Sequence, residues 1–254
     1  MKDKPNQGLA FVDYWERTVP WTFEKEKLSY QKRRRMRYEL QDYMLNSIPF
    51  AAFKGKLVLE IGSGSGIDSS EFGRYGAEVV SLDFTETGAR NTLRTLVEAG
   101  VRSFNVVRAA ADNLPFRPGV FGCVYSFGVL HHIPDVKRVV KEASTVLKRK
   151  GTLICMVYNK ESLLYAYSIL FLHRVAHLSE EELVSKYSER VEGCPYTKAY
   201  TRDEVEGLLE DYFDEIKAVV RYSVIDLPTK RKVKLRVPDK YELGWHIIAT
   251  AAKR

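Results

Sequence analysis

With 254 residues, 45% of them hydrophobic, the chain is long enough for one substantial core with appendages and too short for several independent domains. Forty lysines and arginines against 33 acidic residues give a formal charge of +7, which keeps nucleic acid, anionic lipid and acidic substrates in play beside a solvated surface. The opening Met1-Lys2-Asp3-Lys4 is no basic-then-apolar leader, no apolar run would span a bilayer, and Cys123, Cys155 and Cys194 offer neither a disulfide framework nor a zinc site, so the expected setting is the cytoplasm, with no metal.

In chain order, residues 1–54 precede any strand pattern. They are helical in places and carry Phe11, Tyr14, Trp15, Trp21, Phe23, Tyr30, Tyr38 and Tyr43, which suits a helical cap over the mouth of a sheet. The basic run Lys32-Arg33-Arg34-Arg35 also lies here.

From Lys56 short apolar runs alternate with helical patterns, the mark of βα units and a mostly parallel sheet. Strands are expected over 57–61, 78–83, 104–108, 122–127 and 151–157, with helices over 68–75, 87–99 and 136–147. Gly100 and Gly151 stand where helix-ending glycines belong, the second after a basic last turn. This core is drawn at 55–157. An insert, 158–200, follows, and its stretch Leu163 to Leu172 is apolar nearly all round. It needs a partner: the N-terminal segment, an acceptor pocket, a dimer surface or a membrane skimmed from one side. Residues 201–254 complete the core. There Thr201-Arg202-Asp203-Glu204 reads as a capping box opening a helix to about Tyr212, and strands over 215–225 and 244–252 pair as an antiparallel hairpin. A second basic run, Lys230-Arg231-Lys232 with Lys234 and Arg236, falls between them.

The chemistry-bearing residues sit at strand ends. The first strand runs into Gly62-Ser63-Gly64-Ser65-Gly66, a turn that lets a ligand approach backbone amides at the carboxyl end of the sheet. Such a loop alone is a generic nucleotide turn. A dinucleotide fingerprint needs a small residue at position 67, where this chain has Ile67, which disfavours NAD and FAD. The second strand ends in Asp83, at the spacing where a carboxylate meets a ribose diol, and Phe84 beside it offers an apolar face to an adenine. The plainer role for Asp83 is to cap the next helix. After the third strand, the loop Ala111-Asp112-Asn113 presents an aspartate able to accept from an exocyclic amine, while its backbone reads a ring edge. The fourth strand leads into Ser126 and Phe127 and then the pair His131 and His132.

Together these residues resemble the class I S-adenosylmethionine-dependent methyltransferase family, in its small-molecule branch related to the ubiquinone and menaquinone methyltransferases. The resemblance rests on E-x-G-x-G-x-G from Glu60 to Gly66, on Asp83, on A-D-x-L-P-F from Ala111 to Phe116, and on S-F-G-V-L-H-H-I-P-D from Ser126 to Asp135. It covers roughly residues 56–157. It implies an α/β Rossmann-like three-layer sandwich, with a seven-stranded mostly parallel sheet, an antiparallel terminal hairpin and a helical cap. It implies S-adenosylmethionine as cofactor, with S-adenosylhomocysteine as product. By the same resemblance Glu60, Gly62, Ser63, Gly64 and Gly66 surround the methionine moiety and Asp83 holds the ribose. Asp112 meets the adenine amine between Ala111 and Asn113, with Ser126 and Phe127 on the methionyl side.

Methyl transfer from a sulfonium is an in-line displacement in which the cofactor carries the activation, so no catalytic triad is required. His131 and His132 are the candidate bases; the competing role for both is to order the loop before the next helix. Tyr14, Trp15, Tyr158, Asn159, Tyr196, Lys198 and Tyr200 are the candidate acceptor contacts. The sequence lacks the N/D-P-P-Y/F motif of enzymes methylating adenine or glutamine nitrogens, Ser126-Phe127-Gly128-Val129 standing in its place. Cys194-Pro195 and Gly244-Trp245-His246-Ile247 have counterparts in methyltransferases of bacterial glycan and natural-product pathways. The expected acceptor is therefore an oxygen or nitrogen of a small-molecule, sugar or lipid-linked metabolite, handled by a monomer or homodimer that touches a membrane peripherally if at all. Two alternatives stay open: an RNA methyltransferase holding phosphates with Arg33 to Arg35 and Lys230 to Lys234, and a non-catalytic scaffold that keeps the fold.

Overall fold

The computed structural model describes residues 7–18, 28–166, 178–188, 193–222, 224–226, 234–236 and 238–254. Three helices precede the first strand: α1 (Gln7–Thr18), α2 (Tyr30–Leu40) and α3 (Met44–Ser47). The βα alternation then gives β1 (Leu57–Ile61), α4 (Ile67–Arg74), β2 (Glu78–Asp83), α5 (Glu86–Glu98), β3 (Phe104–Arg108), β4 (Phe121–Phe127), α6 (Val136–Val146) and β5 (Leu147–Tyr158). Beyond it lie α7 (Glu180–Tyr187), α8 (Arg202–Leu209), β6 (Phe213–Arg221), the short strands β7 (Val224–Asp226) and β8 (Lys234–Arg236), and β9 (His246–Lys253).

Seven strands form one sheet in the order β3-β2-β1-β4-β5-β9-β6. The first five are parallel, and β9 runs against both β5 and β6. This is the Rossmann-like arrangement, with its reversed strand beside the fifth. The order turns back at β1, so the carboxyl ends of β1 and β4 open a crevice there, where parallel α/β sheets bind ligands.

Alternate residues of the strands feed two apolar layers. On one face Leu59, Ile61, Leu82, Val124 and Leu153 pack against Val139, Val140 and Ala143 of α6 and Val205 and Leu209 of α8. On the other, Val58, Val79, Cys123, Tyr125 and Ile154 meet Ile67 and Phe72 of α4 together with Tyr30, Tyr38, Met44, Phe50 and Phe53. Much of the aromatic N-terminus therefore builds the second layer, while α1 touches the start of α5.

Three local expectations need correction. Gly151 does not end a helix: α6 stops at Val146 and β5 starts at Leu147. Gly151 lies inside β5, where the pairing with β4 slips between Phe121 and Cys123, and a Cβ there would sit 2.7 Å from the Lys148 carbonyl. The glycine thus serves a close backbone approach at an irregular register. The capping box forms in full, but its helix ends at Leu209, short of Tyr212. The expected strand over 215–225 divides: β6 stops at Arg221, and β7 pairs with β8 in a separate two-stranded sheet.

Among the described residues no helix is long and apolar enough to cross a membrane. Of the apolar stretch Leu163 to Leu172, the described part contributes Tyr165 to a small cluster with Leu183, Val184, Ala199 and Trp245. The remainder, along with Trp21, Phe23 and Lys230-Arg231-Lys232, lies outside the described residues.

Candidate active site

The glycine loop is held from two sides. Gly62 and Ser63 donate their amides to the Leu82 carbonyl at 2.7 and 3.1 Å, which pins the loop to β2. From α5, Thr92 Oγ1 donates to Ser63 Oγ at 2.9 Å and Thr95 Oγ1 to the Ser65 carbonyl at 2.7 Å. Two of the glycines are fixed by conformation and by space. Gly62 has φ +74°, and a Cβ would fall 2.3 Å from a Val129 methyl; Gly66, at φ +72° before α4, would press a Cβ to 2.7 Å from the Thr92 backbone.

Asp83 lies under this loop, nine-tenths or more buried. It accepts from the Gly64 amide at 2.8 Å on one oxygen, and from the Thr85 amide and hydroxyl at 2.9 and 2.6 Å on the other. Burial lifts its carboxyl above the usual range, while the Thr85 and Gly64 hydrogen bonds pull the other way. Three of about four acceptor positions are already in use. A ribose hydroxyl therefore has roughly one left, and holding a full diol requires the Gly64 amide to yield.

A cavity of about 860 Å³ opens above. One side is made by Ile61, Gly62, Gly64, Leu82, Asp83, Phe84 and the run Ala109 to Asp112. The other is made by Phe11, Val12 and Trp15 of α1, Phe127 to Val129, His132 to Pro134, and Pro195 with Tyr196. Of the residues singled out from sequence, Gly62, Gly64, Asp83, Phe84, Ala111, Asp112, Phe127, His132, Trp15 and Tyr196 thus come to one cavity.

The others stand behind or beside it. Glu60 is buried and accepts from Ser69 Oγ, which also meets Ser81 Oγ at 2.6 Å; burial, and then Asp68, raise its carboxyl well above the ordinary range. Ser63 faces Thr92, and Ser126 Oγ donates to the Ile61 carbonyl at 3.2 Å, joining the ends of β4 and β1. Asn113 is exposed in its turn. Asn159 is buried, its side chain bonded to the Gly244 carbonyl and the Glu161 amide. Lys198 reaches Glu204 at 3.2 Å and lies over the Tyr200 ring, and Tyr14 is buried edge-on to Trp15.

At the far end, His132 packs between Trp15 (ring centroids 4.6 Å apart) and His131 (4.2 Å). His131 is fully buried and lies on Tyr158 at 3.8 Å; burial first, then His132 and His246, drive its imidazole well below the usual range, so it is neutral. The helix carrying Trp15 is tied down by Glu16, whose carboxylate accepts from the Glu86 and Thr87 amides at 2.6 and 3.0 Å. Those are orphan donors at the start of α5.

Comparison with known proteins agrees with this geometry. Residues 59–155 match the family model described as a methyltransferase domain. Its core is a class I S-adenosylmethionine-dependent methyltransferase domain. The chain is 30% identical over 130 residues to the ubiquinone biosynthesis O-methyltransferase of Ralstonia nicotianae, covering 51% of this chain and 53% of that one. It is 27% identical over 127 residues to the enzyme of the same name from Xanthomonas campestris, covering 50% and 53%. The chain thus spans about half the length of the curated relatives it matches. Among solved structures, an S-adenosylmethionine-dependent methyltransferase of Thermotoga maritima aligns over 87% of this chain and 97% of its own, with TM-score 0.56 and 16% identity. A Pyrococcus horikoshii protein aligns over 87% and 91%, with TM-score 0.61 and 19% identity. At these identities the structures speak to the fold.

The cofactor of such a domain is S-adenosylmethionine, and the residues present fit it. A Cβ on Gly64 would meet nothing within 4 Å, which leaves room for a ligand against the loop. Beside it are a buried carboxylate and a slot walled by Leu82, Phe84 and Ala111. The sequence did not mark Phe11, Glu16, Gly88, Thr92, Thr95 or Thr197 in this methyltransferase domain and its cap. Thr92 and Thr95 had one visible signal: small polar residues on the face of α5 that should be apolar. The arginine run, by contrast, is largely consumed by pairing. Arg33 bonds Glu98 at 2.5 Å and Arg34 grips Glu71 with two bonds of 2.6 and 2.7 Å.

Proposed function

We propose that this chain transfers the methyl group of S-adenosylmethionine to a hydroxyl oxygen of a small, flat, largely apolar acceptor, with His132 receiving the proton. The observation that carries this reading is the one cavity whose lining includes both the Gly64–Asp83 end and the His132–Trp15 end. Its acceptor end is lined by Trp15, Phe127, Ile133, Pro134 and Pro195, an apolar and aromatic wall that suits a planar ring better than a sugar. Among the described lining residues there is no lysine or arginine, which speaks against a phosphate-bearing acceptor. Oxygen rather than nitrogen is favoured by the printed activity of the ubiquinone biosynthesis relatives.

When bound, the cofactor supplies a methyl group already activated on a sulfonium. The chain has to align and to exclude water. Asp83 accepts from the ribose hydroxyls, Leu82, Phe84 and Ala111 flank the adenine, and Asp112 accepts from its amine. The Gly62–Gly64 backbone lines the methionine side. His132 takes the proton from the acceptor hydroxyl, and Trp15, packed on the imidazole, keeps water from that nitrogen.

Calorimetry with S-adenosylmethionine and S-adenosylhomocysteine tests the cofactor half, with Asp83→Ala expected to weaken both. Transfer of labelled methyl to paired catechol-type and aniline-type acceptors tests the other half. Binding of neither cofactor form would leave only a scaffold, and label confined to the amine would move the acceptor atom from oxygen to nitrogen.

A further inference from the structure

Behind His132, away from the glycine loop, lies a small cluster from the segment before α8. His132 Nδ1 is 3.0 Å from Thr197 Oγ1 and 3.2 Å from the Tyr196 carbonyl, with Cys194 Sγ at 3.7 Å. The hydrogens in this cluster have a consistent assignment. Cys194 Sγ donates to the Tyr196 carbonyl at 3.3 Å, and Thr197 Oγ1 donates to Cys194 Sγ at 3.3 Å. A hydroxyl has one hydrogen, so Thr197, having given it to sulfur, accepts from the imidazole; a carbonyl oxygen only accepts. Both facts put the hydrogen on Nδ1. Thr197 is itself held in place, its amide donating to Ser185 Oγ at 2.9 Å and its carbonyl accepting from the same hydroxyl at 3.3 Å. His132, Thr197 and Cys194 are all nine-tenths or more buried.

We infer that Thr197 and Cys194 are positioning residues that lock His132 in the tautomer with hydrogen on Nδ1, so that Nε2 carries the basic lone pair. The catalytic meaning of the lock rests on the reading of His132 as the proton acceptor; the tautomer does not. In the transfer step the acceptor O–H bond breaks, its proton forms the Nε2–H bond, and the electron pair stays on oxygen for the incoming methyl. The resulting imidazolium has two N–H donors, and the Nδ1 donor already faces the Thr197 hydroxyl and the Tyr196 carbonyl, bonds that strengthen once the ring is charged.

Two-bond proton–nitrogen correlation spectra of histidine-labelled protein report the tautomer directly, with the His132 signals assigned by their loss in His132→Gln. The expected wild-type pattern has hydrogen on Nδ1. Thr197→Val, which keeps the shape and removes the acceptor, is expected to raise the Nε2–H form. It should lower kcat about tenfold while leaving the KM for S-adenosylmethionine unchanged, and Thr197→Ser should restore both. Cys194→Ala, which frees the Thr197 hydroxyl to donate toward the ring, should shift the tautomer in the same direction and covers the case in which the valine variant does not fold. Hydrogen on Nε2 in the wild type, or spectra and kcat unmoved in Thr197→Val and Cys194→Ala, would overturn the inference. Full turnover in His132→Ala would instead remove the proton-acceptor reading and leave the tautomer assignment standing.

Discussion

Gly88 stands so close to Asp83 that a Cβ on it would lie 2.5 Å from the carboxylate carbon and 2.6 Å from each oxygen. The amide of Gly88 donates to Thr85 Oγ1 at 3.0 Å, the hydroxyl that in turn donates to Asp83. The first turn of α5 is thus moulded to the carboxylate. Gly88→Ala must push Asp83 out of its hydrogen bonds, each worth about 1.5–3 kcal/mol to a charged acceptor. The same change favours the helix by up to about 1 kcal/mol. Affinity for S-adenosylmethionine should therefore fall about tenfold or more while the thermal midpoint moves little. Calorimetry beside a melting curve separates the two, and unchanged affinity would place the ribose elsewhere.

Asp68, on α4, gathers Arg37 (2.7 and 3.2 Å), Tyr38 (3.1 Å) and Tyr125 (2.9 Å) around one buried carboxylate. This is the polar joint between α2 and the sheet, inside an otherwise apolar layer. Asp68→Ala strips Arg37 of its counter-charge and leaves two buried phenols short of an acceptor. Loss of one partner of a buried pair costs about 3–5 kcal/mol. A urea titration should show a lower midpoint for Asp68→Ala, with Asp68→Asn falling between it and the wild type.

How much of this was legible beforehand depended on distance along the chain. The five parallel strands follow from short runs such as Leu57–Ile61, whose apolar pattern and flanking turns are local. The glycine loop and Asp83 are strand-end features, so they were legible too. The Gly88 contact was not, because a glycine in a helical pattern gives no sign of what its missing side chain leaves room for. Arg33 and Arg34 looked like surface charge, and only the packing of α2 shows Glu98 and Glu71 waiting for them. Thr197 is 65 residues from His132, and no periodicity links two loops that meet only in the folded chain.

Glu16 gives α1 an acid-sensitive latch. Burial, the largest single influence, raises its carboxyl, but hydrogen bonds from Thr87 and the Glu86 amide, with Arg108 nearby, outweigh it and leave the group below its ordinary value. A folded-state value below the unfolded one means that the contact stabilises above the unfolded value, and that this is lost as pH falls through the folded value. Docking of α1 should accordingly loosen below about pH 4. Glu16→Gln should loosen it at every pH and remove the acid step, since a neutral amide caps the orphan amides less well. Exchange of the Glu86 and Thr87 amides, followed against pH, reads the latch directly. Equal protection at pH 7 and pH 3.5 in the wild type would rule it out.

The arginine run separates a folding role from a nucleic-acid role. Arg33 is 1% exposed and Arg34 spends its guanidinium on a buried Glu71, which leaves Lys32 and Arg35 as the exposed cations of that segment. Each phosphate contact on a single strand adds about −0.7 to the slope of log affinity against log salt, so two cations yield a slope no steeper than about −1.4. RNA should therefore bind this segment weakly, with that shallow slope. Arg34→Gln should lower stability by about 2 kcal/mol, since Glu71 loses two charge-assisted bonds in a buried setting. The KM for a small acceptor should stay the same. A steep salt slope that Arg34→Gln flattens without loss of stability would reverse the assignment and give the run back to phosphate.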